Sequence, residues 1–532
     1  MSGDNVMVSR RWFIAATAAT AGLGRVGPLL AATSDTLDTA IVGGGVSGLY
    51  SAFRLVEAGM PANQLAVFEA TDRIGGRTFS VRMPGAEGIV SEFGGMRYLT
   101  SHRIATALIE HLAIPNRAFP MGGPDNLVYI RGKRWKVGDY ARKGAIPFDL
   151  APDEQGLDPV ALMVKAIDQV APNAERLTMA QWAPIQRAAM VDGHPLHTWG
   201  YRELLNSFLS QKAMAVVRMG GGYLSIPTNW SASEALPWLL ADFANHPQYR
   251  TLNDGLQSLA LTLASRLGGK GVATEMGHRL VSLRVPTQTG TGLHELAFMT
   301  PSGLRVIRAR RVILGLPRRS LELIEDFAAL RDASVRALMG SVTPRALCKA
   351  FMIHPEPYWR QFGLTSGSAT TDLPARQFYY FGSEPERGTN PSGFATMAYF
   401  DGDSEDFWDG LRQLESPGAR GFTQMDPNGP FVREMLRQLV TVHGLSAPPP
   451  VLSAGYMNWG DDPYGGGWHS WNQGEKSWEV MNRIQTPLPG VPLHIVGEAW
   501  STGQGWVEGA LQTAENVMSS RFNLPRPAWL PL

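Results

Sequence analysis

The chain has 532 residues, of which 44% are hydrophobic and only 18% charged, against a usual charged fraction of about 25%. Its 48 basic and 47 acidic side chains nearly cancel, and no basic run or repeat stands out, so no nucleic-acid partner is expected. A single cysteine, Cys348, excludes an intramolecular disulfide and a multi-cysteine metal cluster, and the histidines show no metal-ligand spacing.

The chain begins with a targeting pattern. Ser9-Arg10-Arg11-Trp12-Phe13 has the form of a twin-arginine export signal, followed by a small-residue, weakly apolar stretch from Ile14 to about Ala32. Residues 1–33 are therefore expected to carry the folded protein to the periplasm or out of the cell. The stretch approaches bilayer length, so an uncleaved membrane anchor is the alternative. Leu30 is bulkier than the small residue expected before a cut at Ala32, which leaves the cleavage point open.

A dinucleotide pattern follows. Thr39 to Val42 reads as a short strand, and Gly43, Gly45 and Gly48, with Ser47 between them, form G-x-G-x-x-G. Leu49, Ala52, Phe53 and Val56 recur at helical spacing until Gly59. Leu65 to Phe68 reads as a second strand ending in Glu69-Ala70, with Glu69 placed 21 residues beyond Gly48. Glycines of this kind let a backbone approach a pyrophosphate at a helix N-terminus, and the acid binds ribose hydroxyls. The ordered set is far more specific than the glycines alone.

The continuation RIGGRTFS favours FAD over NAD, because Gly75, Gly76 and Arg77 add a second glycine turn and a cation near the cofactor phosphates. A distant segment, LHIVGEAWSTGQGWVEGAL, agrees. It predicts a strand from Leu493 to Val496, then Gly497-Glu498, then a helix starting near Glu508 or Gly509. Glu498 would face the ribityl hydroxyls, and the helix start would face the polar edge of a flavin. In EFGGMR, Arg97 follows Gly94, Gly95 and Met96 in apolar surroundings, where a guanidinium demands an anion.

Those segments resemble the FAD-dependent amine oxidase superfamily, and within it the L-amino acid oxidases, over nearly all of residues 38–525. The pieces that carry the likeness are VGGGVSGL, FEATDRIGGR, FGGMR and VGEAWSTGQGWVEGAL, with SGSATTDLPARQFYYF and FATMAYFDGDS in support. The resemblance implies an α/β fold with a Rossmann-type, GR2-like FAD-binding domain from residues 35–76, 253–325 and 484–532. It also implies an interleaved mixed-sheet substrate domain from 77–145 and 340–483, and a helical domain at 146–252. In that last region ERLTMAQWAPIQRAAMV and YRELLNSFLSQKAMAVV carry apolar residues at helical spacing.

The resemblance further implies non-covalent FAD, since Cys348 lies outside the C-terminal flavin segment, with the Leu280 backbone at adenine. Arg97 matches the arginine that clasps the substrate α-carboxylate, Glu92 being its alternative, internal partner. Tyr399 matches a tyrosine that shares this carboxylate. Gly505 and Trp506 match a pair beside the flavin, the glycine carbonyl accepting from the substrate amine. Lys349 matches a lysine that holds a water near flavin N5. Trp459 and Tyr464 would pack near the flavin ring, with Gly94, Gly95, Met96 and Val507 also in cofactor contact. Trp468 and Trp471 read equally as pocket or core.

The implied activity is oxidation of an L-amino acid by hydride transfer to FAD with oxygen as acceptor, giving 2-oxo acid, ammonia and hydrogen peroxide. Alternatives on the scaffold are an amino acid 2-monooxygenase that yields an amide, an amine oxidase, which Arg97 disfavours, and a non-catalytic flavin-binding protein. Glu384, Glu386 and Asp401 read first as solvated loop charges and otherwise as partners for a basic substrate, while the tryptophans of 459–506 would suit an aromatic or large apolar one. Dimers are common among such proteins, and the sequence leaves oligomeric state open.

Overall fold

Strand Thr36–Val42 pairs in parallel with Leu65–Phe68 on one side and with Gly303–Leu314 on the other. Its later residues are apolar and buried without alternation, as a parallel strand covered on both faces must be. The structure, a computed structural model, describes residues 36–119, 121–244, 247–384 and 393–531, so the targeting segment 1–33 lies outside the described residues. The sheet runs in the order Ala273–Glu275, Leu65–Phe68, Thr36–Val42, Gly303–Leu314, His294–Thr300, Arg279–Arg284 and Asp326–Phe327. Leu493–Ile495 joins Gly303–Leu314 in parallel, so the C-terminal segment returns to the first sheet.

Helices Val46–Glu57, Gln257–Gly269 and Val507–Ser520 close one face of this sheet through Leu49, Leu259, Leu263, Leu511 and Val517. The last helix begins at Val507, slightly ahead of the predicted start, because Trp506 holds the extended cap conformation.

A second sheet interleaves with the first in the chain. Its order is Phe422–Met425, Ser453–Asn458, Leu347–His354, Phe394–Asp401, Gln377–Phe381, Ser368–Thr371, Leu127–Ile130 and Lys133–Lys136. Helices Ser404–Glu415 and Pro430–His443 cover one face through Trp408, Phe431, Met435 and Leu439. The other face packs through Phe351, Ile353, Tyr379 and Met397 on Phe93, Met96 and Leu99, and it carries the pocket described below.

A helical cluster of Pro159–Ile167, Met179–Ala188, Tyr201–Phe208, Gln211–Gly220 and Ala232–Leu239 packs against the second sheet through Val128, Ile130 and Trp135. The predicted run over 201–217 is two helices, because Ser210 caps the second. Its hydroxyl accepts from the Ala213 N–H at 3.1 Å and donates to Glu154 at 2.6 Å. The end of the stretch expected to be helical forms a strand, Tyr249–Leu252, paired with Tyr98–Leu99 and Asn116–Ala118. That pairing places Tyr249 beside Arg97.

Candidate active site

The first strand ends at Val42, and Gly43, with φ of 110°, turns the chain toward the helix beginning at Val46. A Cβ on Gly48 would lie 2.1 Å from the Gly43 carbonyl oxygen, so this helix can abut the turn only as glycine. No side chain caps the helix, so its first-turn N–H groups face outward as an anion site needs. Ser47 is buried in that first turn. Gly45 pairs with Gly75, and the Gly75 N–H donates to Gly44 at 3.0 Å, stacking the two glycine turns.

The Glu69 carboxylate accepts from the Gly44 N–H at 2.7 Å and the Thr71 N–H at 2.9 Å, with exposed Ala70 beside it. The His278 N–H donates to the Glu69 carbonyl at 2.8 Å and brings Leu280, buried at a bulge, alongside.

Glu498 is the hub at the other end. It pairs with Arg77, accepts from His469 Nδ1 at 2.7 Å and from the Gly505 N–H at 3.1 Å. Burial alone would raise its pKa, but Arg77 and His469 prevail and hold the carboxyl down at about 2. Sequence reasoning had placed Arg77 at phosphates and Glu498 at sugar hydroxyls; the structure brings the two into contact. The Gly497 N–H donates to Thr513 at 2.8 Å, tying this turn to the final helix.

Trp459 donates its indole N–H to the Phe93 carbonyl at 2.7 Å, and its ring meets Tyr464 edge-on at 4.8 Å. The Tyr464 hydroxyl accepts from Arg73 at 2.9 Å. Arg73, one residue before the RIGGR pattern's isoleucine, escaped the sequence reading. The glycine cradle, the uncapped helix start and the Glu69 carboxylate fit a dinucleotide, and the Gly497–Val507 turn offers a second set of backbone groups for a flavin.

Arg97 is buried, and its Nε and Nη1 atoms have no hydrogen-bond partner among the described residues. Glu92 does not pair with it. That carboxylate accepts from the Ser80 hydroxyl at 2.6 Å and the Leu256 N–H at 2.6 Å instead. The guanidinium lies 4.8 Å from the Tyr249 ring centre and 5.5 Å from that of Phe119. Burial opposes its charge, but Tyr379, Tyr223 and Tyr249 offset this, and the group stays cationic above its ordinary range. Gly94 is buried and Gly95 exposed ahead of it, while the Met96 carbonyl accepts from Thr251 at 2.8 Å and anchors the loop.

Strand register explains the next pair. Lys349 sits directly opposite Tyr399, and its ammonium lies 4.8 Å above the Tyr399 ring. It donates to the Glu92 carbonyl at 3.1 Å and to the Gly94 carbonyl. Burial pushes its pKa down, against the pull of Glu92. Tyr223 packs edge-on against Tyr399 at 5.2 Å, and Tyr379 approaches it at 6.3 Å. Tyr223 also lines a mostly apolar cavity of about 180 Å³ between Met163, Val217, Ile226, Leu239 and Phe243.

Gly505 is exposed at the pocket wall beside Trp468, which stacks on Trp238 at 5.9 Å. Trp471 is core: fully buried, it donates to the Ser501 carbonyl at 2.9 Å. The Trp506 indole donates to Asp242 at 2.5 Å and its ring meets His102 at 5.0 Å. Tyr223, Tyr249, Tyr379, Trp238 and Asp242 were missed from sequence, since they lie on separate elements without a local motif.

Two acids suggested for a basic substrate serve the backbone. Asp401 accepts from the Leu224 N–H at 2.7 Å and the Ser225 N–H at 2.9 Å, and Glu384 accepts from the Gly382 N–H at 2.7 Å. Glu386 lies outside the described residues.

Cradle, dinucleotide acid and second backbone turn define a nucleotide-cofactor oxidoreductase. The chain matches the family described as flavin containing amine oxidoreductase over residues 46–517, and it belongs to that family. Flavin from the family and a dinucleotide cradle together make the cofactor FAD. Aplysianin-A of Aplysia kurodai is 24% identical, over 92% of this chain and 90% of that protein. A putative L-amino-acid oxidase of Bacillus subtilis, YobN, is 22% identical over 91% of this chain and 94% of its own length. The solved structure of putrescine oxidase bound to putrescine superposes with a TM-score of 0.67 at 18% identity, covering 92% of this chain and 99% of that one.

Proposed function

We propose that this enzyme oxidises L-amino acids to 2-oxo acids, ammonia and hydrogen peroxide. The observation that carries the reading is Arg97, a buried guanidinium with Nε and Nη1 unpartnered among the described residues, in a pocket ringed by tyrosines. A buried cation with free donors is costly unless a ligand anion completes it, and a guanidinium fork matches a carboxylate. An amine such as the putrescine of the solved relative has no such group. The name of the Bacillus subtilis relative supports the same substrate class.

Residues of the cradle would hold FAD through the Gly43–Gly48 turn, Glu69 and the Gly497–Val507 turn. Bound there, FAD would supply the two-electron acceptor for the substrate Cα hydride and the route for those electrons to dioxygen, giving peroxide, with water hydrolysing the imino acid to 2-oxo acid and ammonia. The chain's own residues orient this chemistry. Arg97 holds the carboxylate bidentately, with the Tyr399 hydroxyl sharing it. The Gly505 carbonyl accepts from the neutral amine, so carboxylate, amine and Cα hydrogen are fixed at three points and the L form is selected. Such orientation is worth several kcal/mol, on the order of 7–11 in well-aligned cases. Burial raises the pKa of Tyr223, Tyr249 and Tyr399, so these hydroxyls act as neutral donors. Lys349 donates to the Glu92 and Gly94 carbonyls and would have one ammonium proton left to hold a water beside the bound flavin.

We further propose export by the twin-arginine route, on the strength of residues 9–32. The test of function is a product assay of the FAD-loaded protein on L- and D-amino acids and amines. Peroxide with equal 2-oxo acid, from L-amino acids alone, is the expected result. Amide without peroxide would identify a monooxygenase, amine turnover an amine oxidase, and no flavin reduction a non-catalytic binder.

A further inference from the structure

Asp242 lies on the wide helical turn Leu240–Ala244, only 2% exposed, and belongs to no motif of the sequence. Its carboxylate accepts from the Trp506 indole at 2.5 Å, and its backbone carbonyl accepts from the Tyr249 hydroxyl. Tyr249 in turn lies 4.8 Å from the Arg97 guanidinium. One acid therefore contacts both Trp506 and Tyr249, whose rings stack at 6.5 Å, and it lies within the field of Arg97.

That placement couples two charges. With the pocket free of substrate, the Arg97 cation favours ionised Asp242. An anion docked on Arg97 cancels this support and repels the second carboxylate in a water-poor site. By linkage, an event that disfavours ionisation takes up a proton. We propose that Asp242 is a positioning residue that takes up a proton as the substrate carboxylate docks on Arg97, so that the pocket admits one anion at a time. The protonated acid still accepts from Trp506 through its carbonyl oxygen, and the indole wall stays in place. This inference rests on the reading of Arg97 as the carboxylate anchor.

The pH range follows from the surroundings. Burial raises the Asp242 pKa to about 8, with Trp506 and Arg97 pulling the other way, so coupling operates in mildly alkaline solution. Facing groups are Arg97, Tyr249 and, across Trp506, His102, which burial pushes down to about 3 and keeps neutral. Tyr223, Tyr249 and Tyr399 are pushed up by burial and stay neutral too. Lys349, with Glu92 behind it, is pushed down by burial and also loses charge toward alkaline pH, so the test must separate it.

Benzoate is the probe, because it carries a carboxylate and no amine to titrate. Its affinity for the FAD-loaded enzyme is read from flavin absorbance between about pH 7 and about pH 10, and proton uptake from an indicator dye in weak buffer near about pH 9. Expected for the wild type is a dissociation constant that rises toward about tenfold per pH unit above about pH 8, with uptake approaching one proton per benzoate. Asp242→Asn should flatten that rise and abolish the uptake. Benzoate binding by wild type without proton uptake overturns the proposal, and this arm needs no variant to fold. An unchanged slope and uptake in Asp242→Asn also overturns it and assigns the proton to Lys349. So does a loss in that variant confined to cationic amino acids, which would make Asp242 a side-chain counter-ion. Benzoate affinity unaltered by Arg97→Met is a separate outcome, and it removes the anchor reading itself.

Discussion

Arg97→Met separates substrate recognition from structural support because the two effects differ greatly in size. The methionine keeps much of the volume and removes the charge. In the enzyme–substrate complex the change strands a desolvated carboxylate, a loss of about 2–5 kcal/mol, or between about 30-fold and about 5,000-fold in kcat/KM. For folding, the guanidinium forfeits its contacts over Tyr249 and Phe119, worth about 0.5–1 kcal/mol each. Against this, the cation no longer has to be desolvated, a relief that Tyr379, Tyr223 and Tyr249 already offset in the wild type. The variant should therefore melt close to the wild-type temperature while losing most of its activity. Peroxide assays on an L-amino acid and on the amine of the same side chain, with calorimetry of the FAD-loaded protein, measure both. An equal loss on acid and amine, or a lost activity that tracks a lowered Tm, would refute the reasoning.

Lys349→Met removes the ammonium bonded to the Glu92 and Gly94 carbonyls; it should slow flavin reoxidation by about 100-fold while anaerobic reduction by substrate changes little, as stopped-flow absorbance would read. Gly48→Ala forces a Cβ to 2.1 Å from the Gly43 carbonyl oxygen, so the purified protein should be colourless and fail to regain flavin absorbance when mixed with FAD. Glu498, held at about 2 against an ordinary 4.5, contributes stability that is fully present above about pH 4.5 and lost as pH falls toward 2. That stability amounts to about 3 kcal/mol, so the gap between wild type and Glu498→Gln in urea denaturation should be largest near neutral pH, narrow through about pH 3 and close only near about pH 2.

The cradle was legible because its constraints are local. A strand, a turn that admits only glycine and an uncapped helix follow one another in the chain, and each leaves its mark on adjacent residues. The second sheet was legible only through resemblance. Lys349 and Tyr399 are 50 residues apart, and nothing in either neighbourhood says that the register sets them opposite one another. FYYF illustrates the limit. Phe378 and Tyr380 pack under the helices, while Tyr379 faces the pocket. Alternation puts adjacent tyrosines on opposite faces, but which face is the pocket depends on a partner strand elsewhere in the chain.

Acids pose the harder case, since composition cannot tell a backbone cap from a charge poised to act. Asp401 lies in a segment that resembles the family, and a role toward basic substrates seemed open to it. Two backbone N–H groups and the Ser225 hydroxyl instead fix it in place. Asp242 stands in no recognisable motif, yet it accepts from a pocket indole and faces the Arg97 cation. The physical difference lies in what compensates each carboxylate. Fixed backbone donors hold Asp401 the same way with or without substrate. The cation opposite Asp242 is one that the substrate itself neutralises, so its protonation must respond to binding, and no reading of residue type alone could have told the two apart.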